Sequence, residues 1–172
     1  MCIRDRNSTR LTVDSLEIKK VSSCRYLGVI IDDDLKWTDH ILHIYNKLVK
    51  FTGIFYKLRV KVPAQILKNV YYAFVHPQIL YAIEVYGNTC PTYLDKLSKL
   101  NNKLLRILQN KPLLTHVHDL YLGFNTLPLN LLHEQQLLIL ALKVVHSPDT
   151  LPDLFADYLS RSEPIHTYNT RN

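Results

Sequence analysis

Between Ile41 and Leu108 the apolar residues recur at intervals of three and four, a spacing that a helix gathers onto one face. Ile41, Ile44, Tyr45, Leu48, Phe51, Thr52, Phe55 and Leu58 form the first such stripe. Thr38 is its expected N-cap, with Trp37 and Leu42 placed for a hydrophobic staple. Lys47, Lys50, Lys57 and Lys61 fall on a different face. Gly53 weakens the middle by about 1 kcal/mol relative to Ala. Pro63 suits the first turn of a second helix, whose apolar face comes from Ile66, Leu67, Val70, Tyr71 and Phe74. His76-Pro77 should break or kink it, Ile79, Leu80, Ile83 and Val85 continue it, and Gly87-Asn88 ends it. A third helix, from about Thr92 to Leu108, turns Leu94, Leu97, Leu100, Leu104, Ile107 and Leu108 inward. Lys96, Lys99, Lys103 and Arg106 lie on its other side.

The remainder of the chain is shorter in period. Leu11 to Val13 and Leu16 to Val21 read as two short strands around Asp14-Ser15. Tyr26 to Ile31 reads as a buried strand, interrupted by Gly28, which suggests a bulge or a close backbone approach. Together these make a small antiparallel ribbon that is marginal alone and must pack on something. The fold class is therefore mostly α with an N-terminal β ribbon, an α+β chain. After the third helix, Val117 to Leu122 is a short turn closed by Gly123. Pro128 to His146 is a helix that becomes apolar all round over Leu137 to Val145, as for a buried or partner-facing helix. Leu151 to Leu159 is a last amphipathic helix, and Ser162 to Asn172 a tail.

Charge is unevenly placed. From Lys36 to Lys111 there are twelve basic and three acidic residues, a local charge of +9, while the chain from Pro112 onward carries −3. A lysine stripe opposite an apolar stripe is normally a solvated face, and composition alone keeps that reading first; two such stripes, with the local +9, raise the reading as a nucleic-acid-binding face. Tyr71, Tyr72, Phe74, Tyr81 and Tyr86 could stack on bases, but such density more often belongs to a core. The only carboxylate run, Asp32-Asp33-Asp34, has consecutive side chains that cannot converge on a pair of metal ions, and reads as a turn. His40 and His43 share a helix face and His116 and His118 flank Val117, yet no cysteine or carboxylate completes a zinc set, so core or solvated histidines are expected. There is no glycine-rich phosphate loop and no nucleophile elbow, so no catalytic residue and no metal ligand is assigned. Cys2, Cys24 and Cys90 form no disulfide framework, which points to a reducing intracellular setting. No apolar run is long enough for a bilayer and no signal peptide is visible, so neither a membrane nor secretion is expected.

Two resemblances add to this reading. Met1-Cys2-Ile3-Arg4-Asp5-Arg6 resembles the translated end of a transposase-type adapter used in sequencing libraries, which implies that the natural chain continues upstream; residues 1–6 are left out of fold reasoning. Tyr26-Leu27-Gly28-Val29, followed by Asp32, Leu35, Trp37, His40 and Ile41, resembles the reverse transcriptases of non-LTR retrotransposons, the LINE-type and jockey-like elements. Pro77-Gln78-Ile79-Leu80-Tyr81 with Val85-Tyr86-Gly87-Asn88 resembles a later segment of the same proteins, in which a tyrosine is followed by Gly-x-x-Trp-Gly or a close variant. Here Ala82 stands where Gly is frequent and Tyr86 where Trp is frequent. Leu151-Pro152 with Phe155, and His166 to Arg171, resemble the segment beyond it.

The resemblance implies a C-terminal piece of an RNA-directed DNA polymerase. Residues 7–37 would be a palm-edge ribbon whose Tyr26, Leu27, Gly28 and Val29 form a primer-grip-like strand. Residues 38–111 would be a helical thumb and 112–172 a post-thumb region. The partner would be an RNA/DNA hybrid, its backbone held by Lys47, Lys50, Lys57, Lys61, Lys96, Lys99, Lys103 and Arg106. The metal-binding Tyr/Phe-Ala-Asp-Asp motif of that family is absent, and Tyr81-Ala82-Ile83-Glu84 does not match it. The palm and fingers would lie elsewhere, with their Mg, and this chain would hold no cofactor and be inactive alone. The alternative is a stand-alone helical protein-interaction module from a decayed element.

Overall fold

In the computed structural model, which describes residues 12–13, 16–17, 19–147 and 152, the run expected to be one strand over Tyr26 to Ile31 is folded back on itself. Strand β3 (Ser23–Tyr26) pairs antiparallel with β4 (Val29–Asp32), with Tyr26 opposite Val29. The two residues between them, Leu27 (φ 46) and Gly28 (φ 85), both have positive φ, as a tight hairpin turn requires. The conformation of Gly28 is thus explained by the turn and not by a bulge. Strand β3 is exposed and β4 half-buried against the first helix, so the expected burial of this run fails at Tyr26 and Leu27. A separate pair of two-residue strands, β1 (Thr12–Val13) and β2 (Leu16–Glu17), forms its own antiparallel ladder and not one ribbon with β3 and β4.

The helical expectation is met with altered joints. Helix α1 (Thr38–Val49) and α2 (Phe51–Leu58) follow one another through Lys50, which itself keeps right-handed helical dihedrals. Thr38 is the first helical residue and not the cap; Trp37 (φ 61) occupies the cap position without a side-chain cap bond, and Leu42 is exposed, so the staple does not form. The start of α1 is braced instead by the Asp32 carboxylate, which accepts the backbone N–H groups of Lys36 (2.8 Å) and Trp37 (2.7 Å).

Helix α3 (Ala64–Val70) runs through a π-helical turn at Tyr71–Val75 into α4 (His76–Leu80). Pro77 was expected to break or kink this helix. The wider turn, in which the His76 N–H reaches the Tyr71 carbonyl, gives the proline ring room where an α-turn would clash, and helical structure continues. The break comes later, at Tyr81 and Ala82, where the chain passes through an extended and then a left-handed residue (Ala82, φ 58) before α5 (Ile83–Tyr86).

Helices α6 (Pro91–Leu108), α7 (Val117–Phe124) and α8 (Leu129–His146) complete the described chain. Helix α7 closes on Asn125 (φ 54), not on Gly123, which sits within the helix against the Gln109 side chain. The core is the meeting of the predicted stripes: Ile41, Ile44, Leu48 and Phe55 against Leu97, Leu100, Leu104 and Leu108. Fully buried Asn101 bridges two tyrosines across it, accepting the Tyr71 hydroxyl (3.3 Å) and donating to that of Tyr121 (3.2 Å). Gly87 ends α5 with His133 of α8 pressed on it; a Cβ there would lie 2.6 Å from His133 Cδ2. Leu137 to Val145 of α8 is not buried: Leu138 is 65% and Val145 72% exposed. No helix among the described residues is long and apolar enough to cross a membrane. The expectations for residues 1–6, for Leu151 to Leu159 and for the tail lie outside the described residues, Pro152 apart.

Candidate functional site

The β3–β4 hairpin presents its tip outward. Tyr26 and Leu27 are 64% and 72% exposed, while Gly28 and Val29 are half-buried. The tip is held from below by Tyr81, whose hydroxyl donates to the Leu27 carbonyl and whose ring lies 3.6 Å from where a Gly28 Cβ would sit. Tyr81 stands at the C-terminus of α4, so the break at Ala82 is what turns it toward the hairpin. In the sequence Tyr81 belongs to the Pro77-to-Tyr81 motif and to the aromatics expected mostly in the core; its position just before a left-handed residue is not readable from an alanine.

Behind the tip lies a cleft of about 330 Å³ between the hairpin, α1 and the end of α4. Arg25, Gly28, His40, His43, Lys47 and Tyr81 line it, and among the described residues no carboxylate does. Lys47 Nζ donates to Gln78 Oε1 across it at 3.4 Å. His40 is a buried side chain, 2% exposed. Its Nδ1 accepts the Ile30 N–H of β4 at 3.4 Å, so the ring proton belongs on Nε2, which has no hydrogen-bond partner. The same ring meets Tyr86 edge-on, 5.3 Å between centroids. His43 Nε2 is likewise shielded and without a partner. Burial, then the neighbouring His43 and Lys47, hold the His40 pKa down to about 4. Burial, Lys47 and Arg25 also lower that of His43.

The lysines are exposed: Lys47, Lys50 and Lys57 along α1 and α2, Lys61 in the turn beyond the end of α2 and so not on the expected helix face, and Lys96, Lys99 and Lys103 on α6. Lys99 is paired with Asp95 at 2.6 Å. Arg106 differs from them. It is half-buried and its Nη2 donates to the Thr115 carbonyl at 3.2 Å, fastening the loop between α6 and α7. The two faces do not merge into one strip at their inner ends. Lys47 lines the cleft below the hairpin, whereas Lys96 lines a second, more apolar cleft of about 400 Å³ with Thr38, Leu42, Tyr45 and Tyr93. Of the aromatic candidates, Tyr71 and Tyr86 are core, while Phe74 and Tyr81 are about half exposed.

The Asp32-Asp33-Asp34 run does not fit a pair of divalent metal ions. Both Asp32 oxygens are taken by backbone N–H groups, and Asp34 pairs with Lys36 at 2.7 Å. Among the described residues no three His, Cys, Asp or Glu side chains are grouped to hold a metal.

Comparison with known proteins gives two relatives. Over 118 residues the chain is 27% identical to the RNA-directed DNA polymerase from mobile element jockey of Drosophila funebris, a match covering 67% of this chain and 13% of that protein. Over 109 residues it is 20% identical to a probable RNA-directed DNA polymerase from transposon X-element of Drosophila melanogaster, covering 62% of this chain and 12% of that protein. Both relatives are polymerases of non-LTR retrotransposons, as the Tyr26-to-Val29 motif led one to expect, and the chain spans only a small part of either. No family model and no solved structure matches the chain.

Proposed function

We propose that this chain is the primer-grip and thumb segment of a non-LTR retrotransposon reverse transcriptase, which holds an RNA/DNA hybrid and carries none of the catalytic carboxylates. The observation that carries the reading is the similarity, over most of the chain, to two RNA-directed DNA polymerases. Supporting it are the exposed hairpin tip and the basic residues concentrated on α1, α2 and α6. On this reading Tyr26, Leu27, Gly28 and Val29 face the primer strand, and Lys47, Lys50, Lys57, Lys61, Lys96, Lys99 and Lys103 contact phosphates. Arg106 serves mainly to fix the α6–α7 loop. The palm, the fingers and the Mg²⁺ of polymerisation belong to other parts of the whole polymerase, which works inside the cell, in cytoplasm and nucleus.

The test is binding of a short RNA/DNA hybrid to the purified chain across a salt series. Each phosphate contact adds close to one unit to the slope of log affinity against log salt. Lys96→Glu with Lys103→Glu should weaken binding and lower that slope by roughly two. Unchanged binding in this variant would remove the α6 face from the interface. Nucleotide incorporation by the purified chain would overturn the assignment of a segment without an active centre.

One observation favours a second reading, a helical protein-interaction module. The end of α8 leaves Leu138, Leu142 and Val145 more than half exposed. A chain that sediments as a monomer at all concentrations would count against it.

A further inference from the structure

The β3–β4 hairpin is too small to hold its own attitude. Four residues on each strand make a two-stranded ladder, marginal in water, and every residue of β3 is exposed. Its root is fixed locally: the Asp33 N–H donates to the Ser22 carbonyl at 3.0 Å, and Asp32 braces the start of α1. The tip stands roughly 13 Å beyond that root along an extended strand. It is held there by a residue 54 positions downstream, the Tyr81 hydroxyl donating to the Leu27 carbonyl while the ring backs onto Gly28.

Tyr81 reaches the tip because α4 stops at it. Its N–H still makes a helical bond, to the Pro77 carbonyl at 3.0 Å, but its ψ of 117 turns the chain out and Ala82 follows in the left-handed region. The bend is clamped from inside, where the buried Tyr86 hydroxyl of α5 donates to the Ile79 carbonyl of α4. The Tyr86 ring also meets His40 edge-on, and His40 Nδ1 accepts the Ile30 N–H of β4. Beyond α5, the Thr89 hydroxyl donates to the Lys36 carbonyl at 2.7 Å, at the entry to α1. The bend thus reaches the tip through Tyr81, β4 through Tyr86 and His40, and the root through Thr89. The bonds from Tyr81, His40 and Thr89 all end on main-chain atoms, so they fix where the hairpin stands whatever side chains it presents. We propose that Tyr81 is a positioning residue for nucleic-acid binding: it sets the height at which the exposed Tyr26 and Leu27 meet the strand. The inference rests on the preceding reading for the partner, an RNA/DNA hybrid. A hydroxyl carried on a clamped bend orders the tip before the strand arrives, so binding is spared that cost. Tyr81 acts through the tip and not on the strand itself.

The experiment compares the natural chain with Tyr81→Phe, which keeps the ring and loses the hydroxyl, first free and then with a short RNA/DNA hybrid. In the free variant the Leu27 carbonyl ¹³C resonance should move upfield and the amide order parameters of Leu27 and Gly28 should fall, while the resonances of α6 and α7 stay in place. Hybrid affinity should drop about fivefold, the value of one neutral hydrogen bond. The salt slope should not change, because no phosphate contact is removed. Tyr26→Ala with Leu27→Ala should also weaken binding, and adding Tyr81→Phe to that pair should cost nothing more. This non-additivity is what a role through the tip requires. A loosening of the helical body, or a direct contact between Tyr81 and the strand, would weaken both backgrounds alike and overturn the proposal. So would a tip whose resonances ignore Tyr81→Phe, or a tip that loosens with no loss of affinity. In each of these cases the natural chain still binds the hybrid, and the preceding reading stands. A natural chain that binds no hybrid overturns that reading and, with it, the nucleic-acid role of Tyr81, an outcome seen before any variant is made.

Discussion

His40 is a residue whose protonation the fold must forbid. It packs under β4 with 2% of its surface exposed, accepts a backbone bond through Nδ1 and leans on Tyr86. Burial is the main cause of its depressed pKa, about 4, and the adjacent His43 and Lys47 add to it. In the unfolded chain the same ring titrates near 6.5. Between about pH 6.5 and about pH 4 the unfolded state therefore binds a proton that the folded state refuses, so stability falls as pH falls through that window and levels off below it. His43 and His76, both lowered chiefly by burial, act in the same direction. Urea midpoints measured from about pH 7 to about pH 4 should decline for the natural chain and decline less for His40→Gln. Parallel curves would mean that the acid sensitivity resides in the other histidines. The sequence left open whether His40 was a core or a solvated residue, because its position on the α1 stripe is as consistent with the rim of the core as with its interior.

At the scale of elements, what the sequence showed was periodicity and what it hid was dihedral strain. Stripes such as Ile41, Ile44 and Leu48 or Leu97, Leu100 and Leu104 located α1 and α6 and their buried faces, because spacing is a property of the letters themselves. The joints depend instead on left-handed residues, and here these are Leu27, Leu35, Trp37 and Ala82 as well as Asn110 and Asn125. Only the asparagines advertise such a conformation. So the residues of the hairpin read as one strand, Thr38 reads as the cap, and no letter marks the α4–α5 break. The Pro77 signal, by contrast, was visible but was resolved by a π-turn that no local rule dictates. The candidate site divides in the same way. The lysine faces were legible, while the cleft under the hairpin was not, since it needs Arg25, His40 and Tyr81 brought together across long sequence separations. Ala82 permits a direct test. At φ 58 its methyl group opposes the left-handed turn, so Ala82→Gly should stabilise the chain by roughly 1 kcal/mol, less what the glycine adds to unfolded-state entropy. A lower urea midpoint for the glycine variant would show that the half-buried methyl contributes more by packing than the turn costs.

For the whole molecule the question is which surfaces are finished. Helix α8 buries Leu129 and Leu132 on the body of the protein, where His133 closes on Gly87, and then runs outward. Beyond that point Leu138, Leu142 and Val145 form, with Leu131, one stripe on a single side of the helix, at 40–72% exposure. Burying such a side chain fully is worth roughly 1.5–3 kcal/mol, so leaving a row of them in water is costly unless something covers them. The curated relatives are far longer than this chain, and another part of a longer polymerase is one cover. For the chain as given, a second copy is the surface at hand, and helix pairing through a stripe of this spacing is geometrically simple. Sedimentation over a range of concentrations should then show reversible self-association. Leu138→Glu with Leu142→Glu should abolish it and leave the urea midpoint within about 0.5 kcal/mol, because exposed positions away from the core tolerate substitution. A natural chain that is monomeric throughout would mean that this face is covered from within the polymerase and would set the interaction-module reading aside. Association that survives the double substitution would place the contact elsewhere, with the apolar cleft around Leu42 and Tyr93 as the next surface to alter.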